Sequence, residues 1–96
     1  MKMLLIFVDA DHAEDVGTLL DGSGVAGWSE IPTVLGRGST GRKLGTRAFP
    51  GSSTLFFAAV AAADAERVIG DLRRLAADRG PEEGIRVYAL DTQEVL

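Results

Sequence analysis

Hydrophobic residues crowd Met3-Leu4-Leu5-Ile6-Phe7-Val8, and the stretch from Lys2 to Val8 has the composition of a buried strand. The run stops at Asp9, and an acidic stretch stands where a signal sequence needs small residues for cleavage, so a strand is expected there and not a leader. Asp9 or Asp11 is placed to cap a helix, with Glu14 and Asp15 in its first turn where carboxylates favour the helix dipole. Ala13, Val16, Leu19 and Leu20 give this helix one apolar face, and Gly22 and Gly24 end it. Val25 to Leu35 reads as a second strand. Pro32 inside it removes a backbone donor and so demands an edge position or a bulge.

From Gly36 to Ser53 neither the helical nor the strand period is found. Glycines 36, 38, 41, 45 and 51, with Pro50, predict one long loop. Loops beyond about 12–15 residues are uncommon in compact domains and are usually functional or disordered. Thr54 to Val60 is the third strand. Asp64 is expected to cap a second helix, on which Ala65, Val68, Ile69, Leu72, Leu75 and Ala76 repeat at helical spacing. Asp71 and Arg74, three residues apart, form a surface pair on that helix. A turn at Gly80 to Gly84 leads into a fourth strand, Ile85 to Leu90.

The order β-α-β-β-α-β, with right-handed crossovers, predicts an α+β ferredoxin-like sandwich: an antiparallel sheet, both helices on one face, and a long loop (36–53) between strands 2 and 3. All 96 residues form one domain. Strand period then exposes a problem. Leu55, Phe57 and Ala59 point one way and Phe56, Ala58 and Val60 the other, and both sets are apolar. The first strand repeats this, with Leu5 and Phe7 opposite Leu4, Ile6 and Val8. Helices cover one face only, and a solvated face normally alternates apolar with polar. The second face is therefore expected to meet another subunit, since an apolar patch of that size in water invites aggregation.

Charge adds one feature. The chain carries a formal −4, of which the segment between Gly36 and Gly51 contributes +4 through Arg37, Arg42, Lys43 and Arg47, so the remainder carries −8. A strongly acidic body argues against nucleic-acid binding, while a basic loop on it argues for a confined anion site or an acidic partner. The absence of cysteine excludes thiolate chemistry and zinc–thiolate sites. No apolar run approaches the ~18 residues of a membrane span, so no direct membrane insertion is expected, and the expected compartment is the cytoplasm.

Gly36-Arg37-Gly38-Ser39-Thr40-Gly41 matches G-x-G-x-x-G, but no helical period follows it, as a dinucleotide fold requires. A phosphate loop of the G-x-x-x-x-G-K-[ST] type fails as well, because Arg42 stands in place of its lysine. What survives is a glycine loop whose amides can converge on an anion beside Arg37 and Arg47. Arg42 and Lys43, nearer the tip, are expected to meet a partner. His12 among Asp9, Asp11, Glu14 and Asp15 is read as helix-start chemistry, with no metal site expected. Trp28 and Tyr88 are read as packing or subunit-contact residues. The third strand lacks the glycine and basic residue of an RNA-recognition strand, and the chain has none of the asparagine that acylphosphatase-like enzymes use.

Gly24-Val25-Ala26-Gly27-Trp28-Ser29-Glu30, running into Val34-Leu35-Gly36-Arg37-Gly38, resembles the G-V-x-G-M-T-V…G-x-G-R passage of the PII signalling family, where the second strand enters the T-loop. The helix from Asp64, the glycine turn and Ile85 to Asp91 extend the resemblance over nearly the whole chain. It implies a homotrimer, not an enzyme, with an adenine nucleotide or another small anion held between subunits. The ligand residues so implied are Gly36, Arg37, Gly38, Ser39, Thr40, Arg47, Gly84 and Arg86. Arg42, Lys43 and Phe49 on the loop would touch a regulated transporter or enzyme. The chain departs from the family where Thr40 replaces its glutamine and where Glu82 and Glu83 occupy a turn without its lysine, and with Leu96 as the last residue its C-terminal arginines are expected to be missing. Tyr88 is the only tyrosine, so the T-loop carries none to be modified. These departures favour a smaller or differently held anion over ATP with 2-oxoglutarate. The rival expectations are a small enzyme with an intersubunit active site and a CutA-like metal-tolerance protein.

Overall fold

The structure, a computed structural model, describes residues 1–38, 41–43, 52–79 and 84–96, with residues 37, 38 and 41–43 through their backbone alone. The chain runs β1 (Lys2–Asp9), one 3-10 turn (Ala10–His12), α1 (Ala13–Gly22), β2 (Ser29–Val34), β3 (Gly36–Gly38), β4 (Gly41–Lys43), β5 (Ser53–Val60), α2 (Ala62–Arg79) and β6 (Arg86–Asp91). The main sheet is four-stranded in the order β2-β5-β1-β6, with every pair antiparallel. This is the ferredoxin-like α+β arrangement expected from the element order.

Parity along β1 and β5 sets the core. Ile6 pairs with Phe56, Leu4 with Ala58 and Val8 with Thr54, and all six are buried on the helix side. Val16 and Leu20 of α1 and Ala65, Val68 and Leu72 of α2 close over them. Each fully buried large aliphatic or Phe side chain contributes about 1.5–3 kcal/mol, so this one layer dominates the stability of a small domain. Trp28 lies beside it. Its ring centroid is 5.5 Å from that of Phe56, and its indole Nε1 donates to the Asp21 carboxylate at 2.9 Å. A side chain on Gly17 would begin 3.6 Å from that indole, so α1 comes close to Trp28 there.

The helices are tied at their ends. Arg67 of α2 donates to the Ser23 carbonyl at 2.6 Å and to Asp64 at 3.0 Å, which places a cation at the negative end of α1. The Ser23 hydroxyl lies 2.8 Å from the Leu19 carbonyl and 3.2 Å from Asp71. Asp71 also holds Arg74, the expected pair, and Arg79 joins α2 to Asp15 at the start of α1. At the sheet edge Lys2 pairs with Asp91, and the ammonium holds the Asp91 carboxyl below its ordinary value through a hydrogen bond and charge.

Several expectations need correction. α1 does not start on an aspartate cap: the Ala10 amide bonds the Ser52 carbonyl at 2.9 Å, the chain passes through the 3-10 turn, and neither Asp9 nor His12 makes a side-chain cap bond. α2 begins at Ala62, so Asp64 lies in its first turn, and the Ala61 carbonyl accepts from the Asp64 and Ala65 amides at 2.9 Å. The second strand starts at Ser29 because Val25 and Trp28 pack on the core instead of joining the ladder. Pro32 does lie on an edge strand, within a register shift between Ile31 and Val34, and the buried Thr54 hydroxyl donates to its carbonyl at 3.2 Å. The loop contains regular structure as well: β3 and β4 pair as a ribbon.

Phe56→Ala should lower unfolding free energy by about 3–5 kcal/mol through lost burial and a cavity. Urea unfolding followed by Trp28 emission at fixed protein concentration measures it. A loss below about 1 kcal/mol, the ordinary size for a point change, would mean that Phe56 does not anchor the core.

Candidate functional site

β3 follows β2 after the single residue Leu35, so the glycine loop leaves from the same end of the sheet at which β2 finishes. Val34 pairs with Ser53 of β5, and Ser53 pairs with Asp9, the last residue of β1. Arg86, the first residue of β6, pairs with Phe7 of β1. The base of the loop, the end of β1 and the start of β6 therefore share one end of the sheet. They do not share one edge. β2 and β6 lie on opposite edges, three strand spacings or ~14 Å apart. A single subunit thus keeps Gly36, Arg37 and Gly38 away from Gly84 and Arg86, all of which were expected at one ligand.

The ribbon has a defined register: Gly36 with Lys43, Arg37 with Arg42 and Gly38 with Gly41. Ser39, Thr40, Arg47 and Phe49 lie outside the described residues, as do Glu82 and Glu83. At the far edge Gly84 has φ +72°, a backbone conformation that glycine adopts without strain. A Cβ built on it would stand 2.9 Å from one Asp9 carboxylate oxygen and 3.2 Å from its carbon. The carboxylate closing β1 thus abuts the turn that opens β6, a proximity that pattern along the chain gives no means to foresee. Arg86 is exposed and donates to the Ile85 carbonyl at 3.0 Å.

The sheet face away from the helices is mostly apolar, with Ser29 and Arg86 at its two edges. In register across the strands run Leu90, Met3 and Ala59; then Tyr88, Leu5, Phe57 and Ser29; then Arg86, Phe7, Leu55 and Ile31. Tyr88 meets Phe7 edge-on with centroids 6.1 Å apart, yet Tyr88, Leu90 and Ile31 are 55%, 47% and 44% exposed. Large apolar side chains covering three rows of a sheet exceed what isolated subunits usually leave in water. Elsewhere His12 stands 3.9 Å from Asp15, and among the described residues no group of three or more acidic or histidine side chains is placed to hold a metal.

Gly84→Ala should cost about 1–2 kcal/mol from the left-handed backbone alone, with the Asp9 contact adding to it. Adding Asp9→Ala should return only the steric part. Chemical denaturation of the single and double variants measures both, and a Gly84→Ala protein as stable as the parent would contradict the described turn.

No family model and no curated protein matches the sequence. Solved structures do. A nitrogen regulatory PII-like protein, CPII, from Thiomonas intermedia K12, bound to ADP, AMP and bicarbonate, superposes with a TM-score of 0.79 at 23% identity, covering 97% of this chain and 86% of its own. Its apo form gives 0.73 at 19% identity, covering 97% and 89%. A PII-like signalling protein from Thermus thermophilus gives 0.66 at 18% identity, covering 93% and 83%. The fold of this chain is that of the PII-like nitrogen regulatory proteins.

Proposed function

We propose that the chain is a trimeric PII-like regulator. In this reading a small anionic ligand, with an adenine nucleotide as first candidate, binds between subunits at the base of the 36–53 loop and alters how that loop engages a regulated transporter or enzyme. The observation that carries the reading is the separation of the two halves of the site. Gly36–Gly38 and Gly84–Arg86 occupy the same end of the sheet but opposite edges. In a ring, the β2 edge of one subunit approaches the β6 edge of the next, and the two halves meet there; head-to-tail contacts that close make such rings. The open apolar face, turned toward the ring axis, then loses its exposure to water. The CPII structures, with ADP, AMP and bicarbonate, support the choice of ligand classes to try.

Light scattering at micromolar concentration should give three times the subunit mass of 10.1 kDa. Leu5→Asp, at the centre of the open face, should yield smaller or precipitated species, because the new charge would be buried unpaired. A thermal-shift series with ADP, AMP, ATP and bicarbonate should raise the melting temperature with at least one nucleotide, as any ligand selective for the native state does. A monodisperse monomer, or a trimer indifferent to every nucleotide, would count against the oligomeric and the ligand halves of the reading respectively.

A further inference from the structure

Asp9 closes β1 with its backbone held: it pairs with Ser53 of β5, and the Ala10 amide that follows bonds the Ser52 carbonyl at 2.9 Å. On the other flank Phe7 pairs with Arg86, and two further steps of that register put Asp9 opposite Gly84. The side chain goes the same way. A Cβ on Gly84 would stand 2.9 Å and 3.3 Å from the two Asp9 carboxylate oxygens. The carboxylate therefore fills the space that a side chain at position 84 would need. We propose that Asp9 is a specificity-determining residue of the intersubunit site. Its charge limits what can approach the Gly84 turn, so that nucleoside monophosphates are preferred to di- and triphosphates. This rests on the proposed placement of an adenine nucleotide between subunits and names the charge class that such a site admits.

Phosphate binding at a turn depends on backbone amides and cations that converge on the anion. A glycine with φ +72° has no side chain to obstruct that approach, but here its open side already holds a negative charge. Like charges raise the free energy of the bound state, and the increment grows with every further phosphoryl group. With the strand end tied to Ser52 and Ser53, the carboxylate cannot leave the turn by a shift of β1. Arg86, exposed and two residues beyond Gly84, is the cation nearest along the chain among the described residues. One guanidinium offsets one carboxylate, and its Nη1 already donates to the Ile85 carbonyl at 3.0 Å. Asp11, exposed in the 3-10 turn that follows β1, adds a second negative charge at this end of the strand. A ligand of low charge meets little opposition there, whereas a polyphosphate chain meets an excess of its own sign.

The probes are adenosine, AMP, ADP and ATP, with pyrophosphate as a phosphate chain free of the nucleoside. Each is titrated calorimetrically into the intact protein and its D9N and D91N variants. Asparagine keeps the size of Asp9 and removes its charge, while Asp91 lies at the other end of β6, paired with Lys2. D9N should bind ADP about 3- to 10-fold more tightly than the parent, the size expected for like charges a few ångströms apart in a wet cleft. The gain for ATP should be larger still. Adenosine should change by less than about twofold, and D91N should leave every ligand within that range. Added salt should shrink the D9N gain, because screening weakens a charge effect and spares a steric one. An equal change for adenosine and ADP in D9N, or weaker ADP binding, would make Asp9 a packing residue and overturn the proposal. The nucleotide reading fails differently. If no nucleotide binds the parent or D9N, yet D9N binds pyrophosphate more tightly than the parent, the nucleotide falls and the charge limit stands. Binding of no probe to either protein overturns both.

Discussion

The antiparallel pairing of β1 with β5, centred on Ile6 opposite Phe56, fixes nearly everything else in this small domain. A one-residue slip would turn Leu4, Ile6 and Val8 away from the helices and bring Leu5 and Phe7 beneath them. Because both sets are apolar, hydrophobicity alone discriminates weakly between the two registers. The discrimination comes from shape and from hydrogen bonding. Phe56 is matched to Trp28 beside α1, Thr54 has the Pro32 carbonyl to donate to, and the Ala10 amide reaches Ser52 across the strand ends. These contacts choose which apolar face becomes core and which is left open.

The fold is largely readable from the chain because its strong elements announce themselves by period. Val16 and Leu20, and Ala65, Val68 and Leu72, are buried where helical spacing puts them, and the two-sided strands β1 and β5 are where continuous apolar runs put them. Boundaries are less readable. The caps expected at Asp9, Asp11 and Asp64 do not form because the helix starts are fixed by backbone bonds from Ala10 and to Ala61, which leave no mark on side-chain type. β3 and β4 escape notice for a related reason. Their residues are glycines, arginines and a lysine, so the chain there carries no hydrophobic period to detect.

The candidate site is legible in composition but not in arrangement. The glycines and arginines that mark the loop base can be picked out along the chain. That Gly36–Gly38 and Gly84–Arg86 stand on opposite edges follows only from the strand order β2-β5-β1-β6, a long-range property. The approach of the Asp9 carboxylate to Gly84 is likewise a product of the β1–β6 pairing. In the proposed site that carboxylate would oppose an anion at the turn, with Arg86 beside it as the described cation, while the longest run of basic residues without an acid lies between Gly36 and Gly51.

The break at Pro32 reaches beyond the local packing that Thr54 provides. A sheet with two exposed edges invites copy after copy to add strands in line, the route by which soluble proteins become fibres. β2 is a poor template for that growth. Pro32 offers no amide, and the register shift between Ile31 and Val34 interrupts the row of donors and acceptors. Contacts along this edge must then be made by side chains and loops, whose geometry limits the number of copies, and not by an endlessly repeatable backbone ladder. The same irregularity that weakens the strand as a strand therefore acts as a stop on polymerisation, built into one edge of the sheet.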